Sequence, residues 1–235
     1  MFNMNFDINS FLFDNPESDG WLMNPGERAF FYYILQNFTI DTSIEIGRYK
    51  GGSTFPMADY SKKCISIDPI PLNSEKYTGI KNLTLIDDYS WNVLGKLLSE
   101  NDNVNLILVD GDHETESVKK ELDIIKHYIP KNYTIVLIHD TFYPQVREAM
   151  DSINWQEHPY IHFVDLDIIQ GCRWELGCMC HSDPSTNDIS GMGRNGIYHL
   201  GFGMIVILNG KRNFELEYYR SHQKIFDACK GRNPW

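Results

Sequence analysis

The chain has 235 residues, a formal net charge of −11, and 42% hydrophobic against 23% charged side chains. These are ordinary proportions for a globular protein large enough to bury a core without staples. The acidic balance disfavours a general grip on nucleic acid and fits a small neutral or cationic substrate.

Residues 1–20 mix Asp, Asn and Glu with isolated aromatics and read as an irregular arm. They lack a basic segment followed by an apolar one, so no signal peptide is expected. A single domain is expected over 21–235. Its first helix begins near Asn24-Pro25, since Pro is tolerated in a first helical turn, and runs through Glu27, Phe30, Phe31, Ile34 and Leu35. Short apolar runs then alternate with amphipathic segments. Strands are expected at Ser43–Ile46, Cys64–Ile67, Leu83–Ile86, Asn105–Val109 and Thr134–Ile138. Helices are expected at Thr54–Ser61, Ser74–Tyr77, Trp91–Ser99, Glu114–Tyr128 and Tyr143–Ile153. This alternation is the signature of an α/β, Rossmann-like, doubly wound sheet, mostly parallel, with helices on both faces. Two further strands are expected at His162–Asp167 and Met204–Leu208. Between them lies a loop insert at about 171–203, rich in Gly, Cys, Asn and Asp. The segment from Phe214 to Cys229 reads as a strand followed by a helix.

The five cysteines are oddly and widely spaced, unlike a disulfide framework. No apolar run has the length of a membrane span. A soluble, cytoplasmic protein is therefore expected, with no nucleic-acid or membrane partner; a homo-oligomer is compatible with the sequence. Cys172, Cys178, Cys180 and His181 do not have a common zinc-finger spacing.

Doubly wound sheets bind ligands at the carboxyl ends of their strands, where the strand order switches. The first strand runs into Gly47-x-x-x-Gly51-Gly52-Ser53 and then a helix start. Glycines there allow a sharp turn and a close ligand approach, and the helix end offers free N–H groups. The spacing departs from the dinucleotide fingerprint G-x-G-x-x-G. Glu45 precedes the first glycine by two positions, and a buried acid there needs a cation or donors. Asp68 ends the second strand, where an acid can hold a ribose diol. Asp88 follows the third, where an adenine edge would lie. The fourth strand ends in Asp110-Gly111-Asp112-His113 and the fifth in His139-Asp140-Thr141. Carboxylates and imidazoles converging from neighbouring strands suit a divalent cation such as Mg²⁺ or Mn²⁺.

These blocks, over about residues 25–150, resemble the class I S-adenosylmethionine-dependent methyltransferases. More narrowly, they resemble a branch that includes small-molecule and sugar O-methyltransferases and cephalosporin hydroxylase-like proteins. The resemblance implies a seven-stranded sheet with an antiparallel last strand. It implies that Glu45, Gly47, Gly51, Gly52 and Ser53 face the methionine part of the cofactor. Asp68 holds its ribose, and Asp88 and Asp110 complete the cofactor contacts. It further implies Asp110, His139 and Asp140 as ligands of a divalent cation, and Asp112 or His113 as the general base. Some metal-dependent relatives have two acids where this chain has His139-Asp140. The expected activity is methyl transfer to a hydroxyl of a small-molecule acceptor, a sugar or natural product. Two other readings of the same residues are a metal-dependent hydrolase built on Asp110, Asp112, His113, His139 and Asp140, and a cofactor-binding module without turnover.

Overall fold

The computed structural model describes residues 22–71, 77–173 and 198–230. The expected N-terminal arm, the helix expected at Ser74–Tyr77 except for Tyr77, and Cys178, Cys180 and His181 lie outside these residues. Among the described residues no helix is long and apolar enough to cross a membrane.

The first helix, α1 (Pro25–Asn37), starts where the sequence placed it. Asn24 accepts the Glu27 N–H through its side chain, and the Glu27 carboxylate accepts the Asn24 N–H, closing a capping box. Five parallel strands follow: β1 (Ile40–Ile46), β2 (Ser61–Ile67), β3 (Leu83–Ile86), β4 (Val104–Val109) and β5 (Tyr133–His139). The helices between them are α2 (Thr54–Tyr60), α3 (Ser90–Glu100) and α4 (Thr115–Ile125), with α5 (Pro144–Ser152) after β5. Then come β6 (Ile161–Ile169), the two-residue strands β7 (Cys172–Arg173) and β8 (Tyr198–His199), β9 (Phe202–Leu208), β10 (Tyr218–Tyr219) and α6 (Gln223–Lys230).

The sheet has eight strands in the order β10-β6-β9-β5-β4-β1-β2-β3. This corrects the expected count of seven: β10 pairs parallel to β6 at the edge. The antiparallel strand is β9, inserted between β5 and β6. Residues 174–197 of the expected insert lie outside the described residues. Cys172–Arg173 pairs with Tyr198–His199, and Phe202 already belongs to β9.

Strand residues alternate between faces. Ile44, Ile46, Ile107, Val109, Val136 and Ile138 pack in one core with Leu94, Leu98, Val118 and Leu122 of α3 and α4. Cys64, Leu106, Leu108, Ile135 and Leu137 pack in the other core with Phe31, Ile34 and Leu35 of α1 and Met57 of α2. The strand order reverses between β1 and β4, so the crevice expected of this topology opens there. Register brings the strand ends level. Ile46 pairs with Ile67 and Val109, Ile67 with Ile86, and Val109 with Ile138. The residues that follow this row, Gly47, Asp68, Asp87, Asp110 and His139, therefore emerge along one rim.

Candidate active site

At the switch point, the turns after β1 and β4 lie back to back. Gly47 has φ +89°, and a Cβ on it would fall 1.9 Å from the Asp110 carbonyl oxygen. Its lack of a side chain is thus required by β4 as well as by a left-handed turn. Gly51 has φ +86°, and a Cβ there would fall 2.2 Å from the Tyr77 hydroxyl. Three non-glycine residues among those described have left-handed backbones: Tyr49, Asp140 and Leu200. All three border this site, and such conformations persist only where the surroundings enforce them.

A cleft of about 650 Å³ opens over these turns, within the range that encloses a small molecule or cofactor. Its lining includes Gly47, Asp68, Tyr89, Trp91, Asp110 and Glu121. Asp68 holds the glycine turn from the side. Its Oδ2 accepts the Arg48 and Tyr49 N–H groups at 2.9 and 3.0 Å, and its Oδ1 accepts Ile70 N–H at 2.8 Å. Arg48 is buried beneath the turn. It donates to the Ser66 carbonyl at 3.1 Å and pairs with Asp87 at 2.7 Å, tying β1 to the ends of β2 and β3.

Glu45 departs from expectation. It alternates onto the α1 and α2 face, is fully buried, and does not line the cleft. Its carboxylate accepts from Ser53 Oγ at 2.5 Å, Thr54 Oγ1 at 2.6 Å and Ser66 Oγ. Burial raises its pKa, and the three hydroxyls oppose that shift. Glu45 and Ser53 thus fasten the glycine turn from below, where the expectation had them facing ligand. Gly51 and Gly52 are likewise outside the lining of the cleft. Asp88 is also redirected: its carboxylate accepts the Tyr89 N–H and the Asn92 side chain at the start of α3.

Glu121 was missed by the sequence reading. It stands between Val118 and Leu122 on the apolar stripe of α4, and a glutamate in such a row is the signal that pointed to it. It is 1% exposed, accepts a hydrogen bond from Ser90 Oγ, and lines the cleft with its Oε2 unpartnered. Burial pushes its carboxyl up to about 7, although the Ser90 bond acts the other way. Nearby, the Tyr89 and Trp91 rings stack 4.8 Å apart, giving the cleft an aromatic wall.

The second group sits beyond Asp110. Asp110, His139 and Asp140 offer three ligand-type atoms within 4.8 Å of one another. His139 Nδ1 is 2.8 Å from Asp110 Oδ1 and 3.2 Å from Asp140 Oδ2. Burial alone would depress the His139 pKa, but Asp110, Asp140 and Glu27 outweigh it and hold the imidazolium well above its usual range. Burial would raise Asp140, but His139 and His113 hold it well below its usual range. His113 Nε2 lies 3.0 Å from Asp140 Oδ2, with a side chain 40% exposed. Burial lowers its pKa, while Asp140 and then Asp110 more than restore it, leaving a net rise. Asp112 lines the cleft but turns its carboxylate to Ser117 Oγ at 2.6 Å and Glu114 N–H at 3.4 Å, supporting the start of α4. Asp110, His139, Asp140 and His113 are therefore brought together, and Asp112 stands beside them.

Residues 44–141 match a family model described as a methyltransferase domain. No curated protein matches the sequence. Among solved structures, one similar chain is a Klebsiella pneumoniae protein provisionally assigned as an O-methyltransferase. It is 13% identical, aligned over 77% of this chain and 79% of its own, with a TM-score of 0.51. Another is a Streptococcus thermophilus protein provisionally assigned as a hemolysin. It is 10% identical, aligned over 85% of this chain and 70% of its own, also at 0.51. At such identities the likeness is one of fold, and two differently assigned proteins share it. Residues 44–141 thus carry the match to a methyltransferase domain, and the described residues share the α/β fold of these solved structures.

Two predictions follow from the geometry. Gly47→Ala forces a Cβ against the Asp110 carbonyl and a left-handed backbone onto alanine, so it should destabilise the fold by about 3 kcal/mol or more. A denaturant midpoint equal to that of the parent chain would contradict this. Glu121 holds its proton more tightly folded than unfolded. Its ionisation therefore costs nothing below the ordinary value near 4.5 and an increasing amount up to about 7. Between about pH 5 and pH 8 the parent chain should lose about 2 kcal/mol more stability than Glu121→Gln. Parallel stability profiles would remove the buried acid from the account.

Proposed function

We propose that the chain transfers the methyl group of S-adenosylmethionine to a hydroxyl of a small molecule, a sugar or natural product, with a divalent cation at Asp110, His139 and Asp140. The observation that carries this reading is the cleft at the β1/β4 switch point, which runs from Asp68 across Gly47 to Asp110. Two carboxylates, Asp68 and Asp110, thus stand at its two ends. The match of residues 44–141 to a methyltransferase domain supports the same reading.

The residues fit such a cofactor. Asp68 Oδ1 keeps acceptor capacity beyond its bond to Ile70 N–H and would take a ribose hydroxyl. The unpartnered Oε2 of Glu121 would accept a donor on the base, and Trp91 and Tyr89 would cover its face. Bare glycine at 47 and 111 keeps the floor low. When bound, S-adenosylmethionine supplies an electrophilic methyl group, and transfer becomes a matter of positioning.

The cluster also fits a cation. Three ligand-type atoms lie within 4.8 Å of one another, so Asp110, His139 and Asp140 would hold a divalent cation. One nitrogen with two carboxylates is a set that suits Mn²⁺ at least as well as Mg²⁺. When bound, such an ion polarises the acceptor hydroxyl. His113, more exposed than His139 and paired with Asp140, would take the acceptor proton; Asp112 would hold α4 and the cleft wall.

Calorimetry with S-adenosylhomocysteine tests the cofactor claim, and saturable binding to the parent chain is expected. Asp68→Asn keeps an acceptor for the turn N–H groups but loses charge towards the ribose, and should weaken binding about 10-fold. No heat at millimolar ligand would overturn the reading. With a panel of hydroxylated sugars and natural products as acceptors, His113→Ala should slow methylation by about 10²-fold or more while leaving homocysteine-analogue affinity unchanged. An unaltered rate would remove His113 as the base.

A further inference from the structure

Glu27 lies outside the segment matched by the methyltransferase family, yet it reaches the centre of the site. It is the third residue of α1, a position where an acid that closes a capping box ordinarily faces water. Here it is 0% exposed. A carboxylate so placed must be matched by donors or a cation. Its Oε2 accepts the Asn24 N–H at 2.7 Å. Its Oε1 accepts the Gly201 N–H and lies 3.4 Å from His139 Nε2. That nitrogen makes no hydrogen bond, so Glu27 faces it as an ion-pair partner. The opposite ring nitrogen, Nδ1, faces Asp110 and Asp140. The imidazole is thus held between Glu27 on one side and the two candidate cation ligands on the other.

We infer that Glu27 is a positioning residue: it keeps the proton of His139 on Nε2 and the ring aligned, so that Nδ1 is presented with Asp110 and Asp140 to a divalent cation. This rests on the cation reading proposed above. A carboxylate behind a ligating imidazole fixes its tautomer and raises its donor strength. The same oxygen anchors Gly201, whose φ is +89°, while Asp140 Oδ1 accepts the neighbouring Leu200 N–H. Glu27 and Asp140 therefore grip successive residues just before β9. The arrangement of the cation ligands and the path of the chain into β9 are set by one pair of carboxylates.

Glu27→Gln is the discriminating variant, since glutamine at this helix position still closes a capping box. With Mn²⁺ as the probe on the full chain, its affinity should fall by roughly 10-fold to 100-fold. S-adenosylhomocysteine binding, read separately, reports on the cleft and separates failure of the cofactor reading from failure of this one. Equal Mn²⁺ affinity in the variant and the parent would overturn the inference. A second readout is ¹⁵N spectroscopy of the His139 ring in the unaltered chain with Zn²⁺. Coordination through Nδ1 with Nε2 protonated is expected, and coordination through Nε2 would contradict it. Should the parent take up no cation, the cation reading falls by itself. Glu27 is then judged on the metal-free ring: a slowly exchanging Nε2–H resonance, shifted or lost in Glu27→Gln, supports the positioning role, and identical ring resonances in both chains overturn it.

Discussion

The site depends on one constraint of register. Ile86, Ile67, Ile46, Val109 and Ile138 end five parallel strands in a single hydrogen-bonded row. Gly47, Asp68, Asp110, His139 and Asp140 follow that row by one or two residues. The tightest point is the meeting of Gly47 with the Asp110 carbonyl, where no side chain can intervene. The chain continues the ladder across this point, with Gly47 N–H donating to Ile67 and Asp110 N–H to Ile46. The floor of the cleft is thus an extension of the sheet rather than a free loop, and its donors and acceptors are already aimed before any ligand arrives.

Charge is distributed by depth. Glu45 and Glu27 lie on the α1 and α2 side and are closed off from solvent. Glu45 is satisfied by three hydroxyls, Glu27 by two backbone N–H groups and an imidazolium. Asp68 and Asp110 open to the cleft from the other side of the rim. Buried carboxylates of this kind are destabilising unless each is paired, so the hydroxyls at 53, 54 and 66 and the imidazole at 139 are structural necessities as well as site components.

Much of the fold was legible because each central strand is a short apolar run bounded by polar turns. Leu83–Ile86 falls where expected, and the other four central strands extend the expected ranges by one to three residues. The acids at the rim were legible for the same reason: they follow the runs. What was not legible depends on contacts between distant segments. The alternation of strand faces sends Glu45 under the turn and not into the cleft, which chain order alone does not reveal. Asp88 looked like a ligand contact because it follows β3, but local caps compete for such residues. Glu27 and Glu121 were hidden inside helices, each an acid in an otherwise apolar row, and only the packing of α1 and α4 against the rim brings them to the site. The strand and helix expected between Phe214 and Cys229 are present as β10 and α6, but the place of β10 at the sheet edge beside β6 depends on pairing that chain order does not reveal.

The central claim is that the crevice between the β1 and β4 turns is a nucleoside-bearing cofactor site flanked by a cation site. A crystal structure of the chain grown with S-adenosylhomocysteine and Mn²⁺ tests it most directly. The account predicts the ribose on the Asp68 carboxylate, the base against Trp91 and Glu121, and anomalous density between Asp110, His139 and Asp140. Ligand bound elsewhere on the sheet, with the Gly47 crevice filled by the protein's own side chains, would contradict it.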